Sequence, residues 1–204
     1  MVVAMITQLQ SPPMSPQEYL EWEAQQPEKY GYINGQVYAM AGGTVAHSEI
    51  ASNLIALLKP HLRGSGCRTL GSDAKINIAE GTFFHYADVS VTCDEQDRTA
   101  TKFISHPCLI VEVLSSTTEA FDRGDKFQDY RRIETLQEYV LIHAKRMSVE
   151  CHRLNESGVW ETYYYNTNLE DAQFPLVELA SVSLSFPIDE LYENINLNAA
   201  DSTL

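Results

Sequence analysis

Short apolar runs alternate with polar segments along the chain, and their spacing predicts a mixture of strands and helices. Residues 15–18 carry an N-cap serine, a first-turn proline and a capping-box glutamate, so a short helix begins there. The pair Asn34-Gly35 between two alternating runs predicts a β-hairpin over residues 30–40. Over residues 45–62, apolar side chains recur at helical spacing and predict a long helix.

The middle and the end of the chain predict a sheet. Strand patterns occupy residues 67–70, 75–78, 86–93, 109–114, 139–143, 149–154, 160–165 and 182–186. A Ser/Thr cluster precedes a helical pattern over residues 119–133, in which Gly124 weakens the helix or marks where its ordered part begins. We expect a single domain over residues 14–193, a flexible arm over residues 1–13 and a polar tail over residues 194–204.

Two carboxylates stand inside these apolar strand patterns: Asp88 in the run 86–93 and Glu112 in the run 109–114. An ionised carboxylate in a core strand must be neutralised, paired or bound to a metal, because desolvating it alone is costly. If the two strands pair, alternation lets both carboxylates share one face of the sheet. Two acidic donors beside an exposed backbone carbonyl are typical of a site for Mg²⁺ or Mn²⁺.

Structural explanations compete with functional ones at each of these positions. Glu112 could be a core carboxylate satisfied by an arginine or by backbone donors, and Asp88 could cap a turn. Lys126 lies on a predicted amphipathic helix, where a lysine is ordinarily solvated. His47 begins the long helix and could cap it, pack, or position a substrate. Ser115 could bind phosphate or water, or cap the following helix.

Three further groups have simpler structural explanations. Asp73 could add a carboxylate to the site, but beside a Gly-Ser pair it is more simply a turn residue. Asp122 and Asp125 are most simply first-turn helix residues that favour the positive end of the helix dipole. The run 163–165 of three tyrosines could stack on bases, but in an alternating strand such a run more often packs in the core.

Composition changes this picture through charge. Of the 204 residues, 44% are hydrophobic and 21% are charged, which indicates one folded domain. The formal net charge of −14 argues against tight non-specific DNA binding, because neutralising phosphates supplies most of that affinity. It does not exclude a nuclease, since metal ions offset local acidity. The basic residues that concentrate near the proposed site are Arg123, Lys126, Arg131, Arg132, Lys145 and Arg146.

The four cysteines Cys67, Cys93, Cys108 and Cys151 show no close paired spacing and lie mostly in strand patterns. We interpret them as small buried hydrophobic residues rather than zinc ligands or disulfides, which fits a reducing cytoplasm. The first residues lack a basic signal-peptide segment, and no apolar run approaches membrane-spanning length. We therefore expect a cytoplasmic protein without a membrane partner.

Several motifs together carry a family resemblance: residues 14–20, 32–40, His47, Asp88, residues 111–115 and residues 122–132. They resemble the Uma-type family of proposed endonucleases, formerly a domain of unknown function common in cyanobacteria, within the PD-(D/E)XK restriction-endonuclease-like superfamily. The resemblance implies an α/β (α+β) fold with a mixed, restriction-endonuclease-like β-sheet flanked by helices. It also implies that Asp88, Glu112 and the Val113 carbonyl hold Mg²⁺ or Mn²⁺, and that Lys126 assists the attacking water.

The chain departs from the superfamily pattern at three positions. Ala87 stands in place of the motif's proline, and Leu114 stands in place of its lysine. The lysine role therefore passes to Lys126 on the following helix, with Tyr130 one turn later on the same face. Gly31 stands where related sequences often carry a glutamate, so a possible third acidic contributor is missing.

These observations leave hypotheses from different classes. The first is a metal-dependent endonuclease that hydrolyses phosphodiester bonds in DNA and assembles as a homodimer. The second, favoured by the net charge, Leu114 and Gly31, is a catalytically decayed, acidic homo-oligomeric interaction or regulatory protein on the same fold. A metal hydrolase acting on other phosphoesters would carry the same carboxylate pair, and comparing DNA with small phosphodiesters would distinguish it.

Overall fold

The computed structural model describes residues 8–9, 11–40, 42–167 and 174–197. Its helices are α1 (Pro16–Glu23), α2 (Val45–His61), α3 (Glu119–Arg123) and α4 (Asp125–Tyr130). Its strands are β1 (Tyr30–Ile33), β2 (Gln36–Ala39), β3 (Arg68–Gly71), β4 (Lys75–Ile78), β5 (Phe83–Tyr86), β6 (Val89–Thr92), β7 (Pro107–Leu114), β8 (Glu138–His143), β9 (Ser148–Leu154), β10 (Trp160–Asn166), β11 (Leu176–Leu179) and β12 (Leu184–Pro187).

Three sheets organise these strands. The largest has the order β10-β9-β8-β7-β6-β3, a second has the order β2-β1-β5-β4, and β11 pairs with β12. In the six-stranded sheet only β7 and β8 run parallel, and α3 and α4 supply the crossover that a parallel pair requires. This mixed sheet with flanking helices confirms the expected fold class.

The strand β7 shows how the two faces of the main sheet are covered. Its odd-numbered residues, including Val111 and Val113, join a core cluster with Ile50 and Leu54 of α2. Its even-numbered residue Ile110 joins a second cluster with Tyr130 of α4. Glu112 therefore projects from the face that α4 covers, because alternate side chains on a strand point to opposite faces.

Several sequence predictions are confirmed at residue level. Ser15 accepts a hydrogen bond from the backbone N–H of Glu18, and the Glu18 carboxylate accepts one from the Ser15 N–H, which completes the capping box. Asn34 and Gly35 have φ values of 47° and 89°, as the hairpin turn between β1 and β2 requires. The long predicted helix is α2.

Two element predictions are wrong. The strand expected over residues 86–93 is two strands, β5 and β6, which belong to different sheets, so Asp88 lies at the junction between them rather than inside a ladder. The helix expected over residues 119–133 is the two short helices α3 and α4. Gly124 separates them with φ −107° and ψ −103°, outside the helical region.

The prediction of unbonded cysteines is also wrong for one pair, because Cys67 and Cys93 form a disulfide. The reason lies in the antiparallel pairing of β3 with β6, which sets Arg68 opposite Thr92. One step beyond that pair, Cys67 faces Cys93 across the ladder, although 26 positions separate them in sequence. Cys108 and Cys151 are buried free thiols, as expected.

Only part of each chain end predicted to be an arm or a tail lies within the described residues. Gln8 bridges to Tyr38 of β2, so this residue of the predicted arm pairs with the first hairpin. The rest of that arm over residues 1–7, and residues 198–204 of the predicted tail, lie outside the described residues. The hairpin of β11 and β12 extends beyond the single strand predicted there. No helix within the described ranges is long and apolar enough to cross a membrane.

Candidate functional site

A cavity of about 990 Å³ lies where the two larger sheets and α2, α3 and α4 meet. The chemistry-bearing side chains along its wall are His47, Asp88, Glu112, Ser115, Asp122 and Lys126. Five of these, all except Asp122, were singled out from the sequence as site residues or accessory residues, and Asp88 and Glu112 come together as expected.

Asp88 is held from two sides. Its Oδ2 accepts a hydrogen bond of 2.7 Å from the backbone N–H of Val113, and its Oδ1 lies 2.8 Å from Nε2 of His47. The pairing of β6 with β7 begins at Val89 opposite Val111. The Asp88 carboxylate therefore accepts a hydrogen bond from the part of the β7 edge that lies just past the end of β6. Burial alone would raise the pKa of Asp88, but the His47 contact outweighs it, so the pKa is lowered and the carboxylate stays ionised.

The position of His47 follows from the start of α2. Thr44 caps the helix by accepting from the His47 N–H, and the imidazole then reaches Asp88. A Cβ on Gly43 would lie 2.9 Å from the imidazole ring, so glycine allows this close approach. Among the described residues, Nδ1 of His47 is buried without a hydrogen-bond partner.

Glu112 is buried and faces a lysine and a tyrosine. Its Oε1 lies 2.8 Å from Nζ of Lys126, and it accepts a hydrogen bond of 3.1 Å from the hydroxyl of Tyr130. Burial raises the pKa of Glu112 well above its ordinary value against the opposing effect of Lys126, and the nearby acids Asp122 and Asp88 add to the rise. A divalent cation would relieve this cost by neutralising the carboxylate.

Lys126 sits between acidic groups. Besides Glu112, its Nζ lies 3.4 Å from Oδ1 of Asp122. Burial alone would lower the pKa of Lys126, but Glu112 and Asp122 outweigh it and raise the pKa above the ordinary value. The ammonium therefore stays protonated at neutral pH, so Lys126 can donate hydrogen bonds and stabilise negative charge but cannot act as a base.

Asp122 lies in the first turn of α3, as interpreted from the sequence, but its side chain is also buried and lines the cavity. It supplies the third carboxylate that the sequence appeared to lack at Gly31. Its spacing of four residues before Lys126 was the available signal, since such residues are neighbours on a helix surface. The break at Gly124 obscured that signal because it divides the pair between α3 and α4.

The remaining predicted residues occupy different parts of the cavity. Ser115 contacts the hydroxyls of Thr117 and Thr118, both at 2.9 Å, and accepts from the Thr118 N–H in the turn before α3, whose N-cap is Thr118 rather than Ser115. Asp73 is exposed and pairs with Lys29 at 2.9 Å, which agrees with its interpretation as a turn residue. Tyr130 contacts Glu112 rather than the cavity wall described above.

The donor set suits an oxygen-preferring cation better than zinc. Within the described ranges, no three His, Cys, Asp or Glu side chains cluster tightly enough to enclose a metal by themselves. Mg²⁺ needs no such cluster, because it is ordinarily held by one or two carboxylates and keeps several waters. In a strand, the N–H and C=O of one residue point to the same edge, so the Val113 carbonyl faces the side of Asp88.

Comparisons with known proteins agree with this architecture. The family described as "Uma2: Putative restriction endonuclease" matches residues 16–187. Two Synechocystis proteins are similar: "Uncharacterized protein slr1290" is 42% identical, covering 90% of this chain and 94% of the relative, and "Uncharacterized protein sll1609" is 35% identical, covering 70% and 82%.

A solved structure shares the fold at low sequence identity. The crystal structure of "a putative nuclease belonging to DUF820" from Anabaena variabilis superimposes with a TM-score of 0.69 and 18% identity, covering 89% of this chain and 98% of that chain. Because the family match spans most of the chain and two relatives exceed 30% identity, the conclusion is direct: the chain belongs to the Uma2 family.

Proposed function

We propose that the protein is a metal-dependent nuclease that hydrolyses phosphodiester bonds in DNA. The observation that carries the proposal is the convergence of Asp88, Glu112 and Lys126 in one cavity, with Glu112 buried among other acids. Membership of a family described as restriction endonucleases supports it, as does the fold shared with a nuclease-like structure.

Mg²⁺ or Mn²⁺ would be held by Asp88, Glu112 and the Val113 carbonyl. When bound, such an ion lowers the pKa of a water molecule and offsets phosphate charge. His47 orients Asp88 through Oδ1, and Tyr130 orients Glu112 through Oε1, so both carboxylates are fixed before a ligand arrives. Lys126, which is protonated, would stabilise the charge that develops on the transferring phosphate and help to orient the water.

The strongest argument for the second candidate, a decayed site, is the ion pair between Lys126 and Glu112. At 2.8 Å the ammonium already neutralises the buried carboxylate, so a metal must compete with it. The net charge of −14 points the same way, because it opposes approach of DNA. The two candidates differ in one measurable property, which is affinity for a divalent cation.

The first test is calorimetric titration of the native chain and the Asp88→Asn variant with Mn²⁺. We expect binding to the native chain and its loss in Asp88→Asn. The control is Asp73→Asn, which makes the same change of charge on the rim of the same cavity and should bind normally. If the native chain fails to bind Mn²⁺ both alone and with DNA present, the nuclease proposal is contradicted and the decayed site is favoured.

Cleavage assays then define the substrate. Native protein with Mn²⁺ should cleave DNA more efficiently than a small phosphodiester, because flanking nucleotides add binding energy away from the reacting bond. Equal or greater activity on the small ester, with no cleavage of DNA, would instead assign a non-nucleic phosphoesterase. Comparing single-stranded and duplex DNA in the same assay separates the two forms of substrate.

A further inference from the structure

A row of side chains crosses the main sheet from the cavity to its outer edge. Glu112 of β7 is in register with Leu141 of β8, Leu141 with Glu150 of β9, and Glu150 with Tyr164 of β10. Directly opposite residues share one face of a sheet. With strands about 4.8 Å apart, Tyr164 lies roughly 14 Å from Glu112 on that face.

An independent contact supports this orientation of β10. Trp160, which has the same parity as Tyr164, packs against Phe127 of α4 at 5.3 Å between ring centroids. The even-numbered residues of β10 therefore face the side on which α3 and α4 lie. Unlike Trp160, Tyr164 is 64% exposed, so its ring is a free aromatic surface on the same side as the cavity.

Between Tyr164 and the cavity lies a group of cations around His143, at the end of β8. Nη2 of Arg123 lies 3.1 Å from Nε2 of His143, and Nη2 of Arg146 lies 2.7 Å from the same nitrogen. Burial lowers the pKa of His143, and the neighbouring Arg146 lowers it further, so the ring is neutral and accepts hydrogen bonds from a guanidinium.

The two arginines differ in their remaining partners. Arg123 is neutralised by Glu150 at 2.5 Å and by Glu119 at 2.9 Å. Arg146 is exposed and, among the described residues, makes no ion pair with a carboxylate. The adjacent Lys145 is exposed as well. Within the described ranges neither cation makes an ion pair with a carboxylate, so in a chain of net charge −14 the two form a local attraction for an anion, and a neutral histidine orients Arg146.

We propose that Lys145, Arg146 and Tyr164, here called the outer strip, bind the single strand of nucleic acid that leads into the cavity. Arg146 contacts a backbone phosphate, and Tyr164 stacks on an unpaired base. Exposed cations beside an exposed aromatic ring are the combination that single-strand binding proteins use. The proposal rests on the proposed nuclease function and adds to it the path of the substrate.

A second copy of this chain is the competing occupant, because β10 is the edge strand of its sheet. Edge strands present unpaired backbone groups to other chains. Arg146 and Lys145 favour the nucleic acid, because a backbone phosphate presents a dense negative charge to these exposed cations.

The experiment measures binding of a fluorescent oligothymidylate to the native chain in a chelating buffer, where cleavage cannot interfere. We expect Tyr164→Ser to weaken binding about fivefold or more and Tyr164→Phe to retain it. Arg146→Gln should weaken binding and reduce the slope of log affinity against log salt by about 0.7. Sedimentation of each variant reports its oligomeric state.

Matched controls exist for both changes. Tyr163→Ser removes a 40% exposed tyrosine from the opposite face of β10 and should bind as the native chain does. Arg63→Gln makes the same charge change just beyond α2, whose last turn lies about 21 Å along the helix from His47.

The outcomes separate the two proposals. If both Tyr164→Ser and Arg146→Gln bind the oligonucleotide as tightly as the native chain does, the outer strip is overturned and the proposed nuclease function is unaffected. Equal weakening by the control variants, or a change of oligomeric state in Tyr164→Ser, also overturns it and favours the protein partner. If the native chain does not bind the oligonucleotide while still binding Mn²⁺, the outer strip and the DNA substrate both fail.

Discussion

Glu112 and Glu138 are buried glutamates on the adjacent parallel strands β7 and β8, and they differ in what surrounds them. Glu138 is 0% exposed and accepts hydrogen bonds from Nε of Arg153 at 2.7 Å and from the N–H and hydroxyl of Ser181 at 3.1 and 2.9 Å. Glu112 is 3% exposed, has a lysine and a tyrosine as partners, and lies near two other acids at a cavity.

The comparison shows that burial alone does not identify a functional carboxylate. Donors from two segments satisfy Glu138, so its charge ties the end of β9 and residue 181 to β8. Glu112 instead sits where its ionised form is disfavoured by burial and by neighbouring acids. A group whose environment opposes its charge beside an open cavity is arranged for a ligand rather than for stability.

The largest expected difference is in stability. Glu138→Ala should lower the free energy of unfolding by about 3–5 kcal/mol, because it removes the fully buried acceptor shared by Arg153 and the two Ser181 donors. Glu112→Ala should cost much less, since removing it relieves repulsion with Asp122 and Asp88 and leaves Lys126 paired with Asp122. Urea denaturation in chelating buffer measures both. Equal losses in the two variants would mean that Glu112 is a structural partner like Glu138.

The next effect concerns catalysis. Lys126→Ala should reduce turnover of DNA about a hundredfold, the usual consequence of removing one donor that stabilises transition-state charge. Mn²⁺ affinity should be retained or increased, because Asp88 and Glu112 remain and the ammonium that competes for Glu112 is gone. Lys102→Ala, which removes a lysine from a neighbouring cavity, is the control. Unchanged cleavage by Lys126→Ala would remove this residue from the mechanism.

A smaller effect is expected in the pH dependence of stability. The pKa of Glu112 is higher in the folded state than in the unfolded state. The stability that the protonated side chain contributes is therefore complete below the unfolded-state pKa and is lost as pH rises through the folded-state pKa. Native protein should therefore lose stability relative to Glu112→Gln as pH rises, with a slope of at most about 1.4 kcal/mol per pH unit. Denaturation of both proteins across a pH series tests this, and a constant difference would contradict the raised pKa.

The smallest effect is expected at Asp73. Its carboxylate is 96% exposed, and its ion pair with Lys29 is screened by solvent. Asp73→Ala should change neither the denaturation midpoint nor Mn²⁺ binding. A loss of Mn²⁺ affinity in this variant would place Asp73 among the metal ligands and enlarge the proposed site.

Sequence patterns predicted what depends on local signals. The capping box at Ser15 and the Asn34-Gly35 turn were found because their chemistry is complete within a few residues. The family motif brought Asp88, Glu112 and Lys126 to one site. The contacts that these residues make could not be predicted in the same way. His47 and Asp88, for example, lie 2.8 Å apart although 41 positions separate them, and no local sequence pattern indicates such a contact.

Long-range pairing explains the errors. The disulfide between Cys67 and Cys93 follows from the register of β3 and β6, which sequence spacing does not reveal. Asp88 was placed inside a strand because residues 86–93 have a strand-like pattern throughout, yet the chain changes sheets at that point. Asp122 was interpreted only as a first-turn helix residue, because its contact with Lys126 crosses the break at Gly124 between α3 and α4.

The junction at Asp88 has a consequence for motion. Asp88 directly precedes β6, which shares a sheet with Glu112, and only Ala87 separates Asp88 from β5 of the second sheet. A ligand held by Asp88 and Glu112 would therefore fasten the point at which the chain passes from one sheet to the other. Amide hydrogen exchange at the start of β6 and the end of β7 should then slow together on binding, as one cooperative unit.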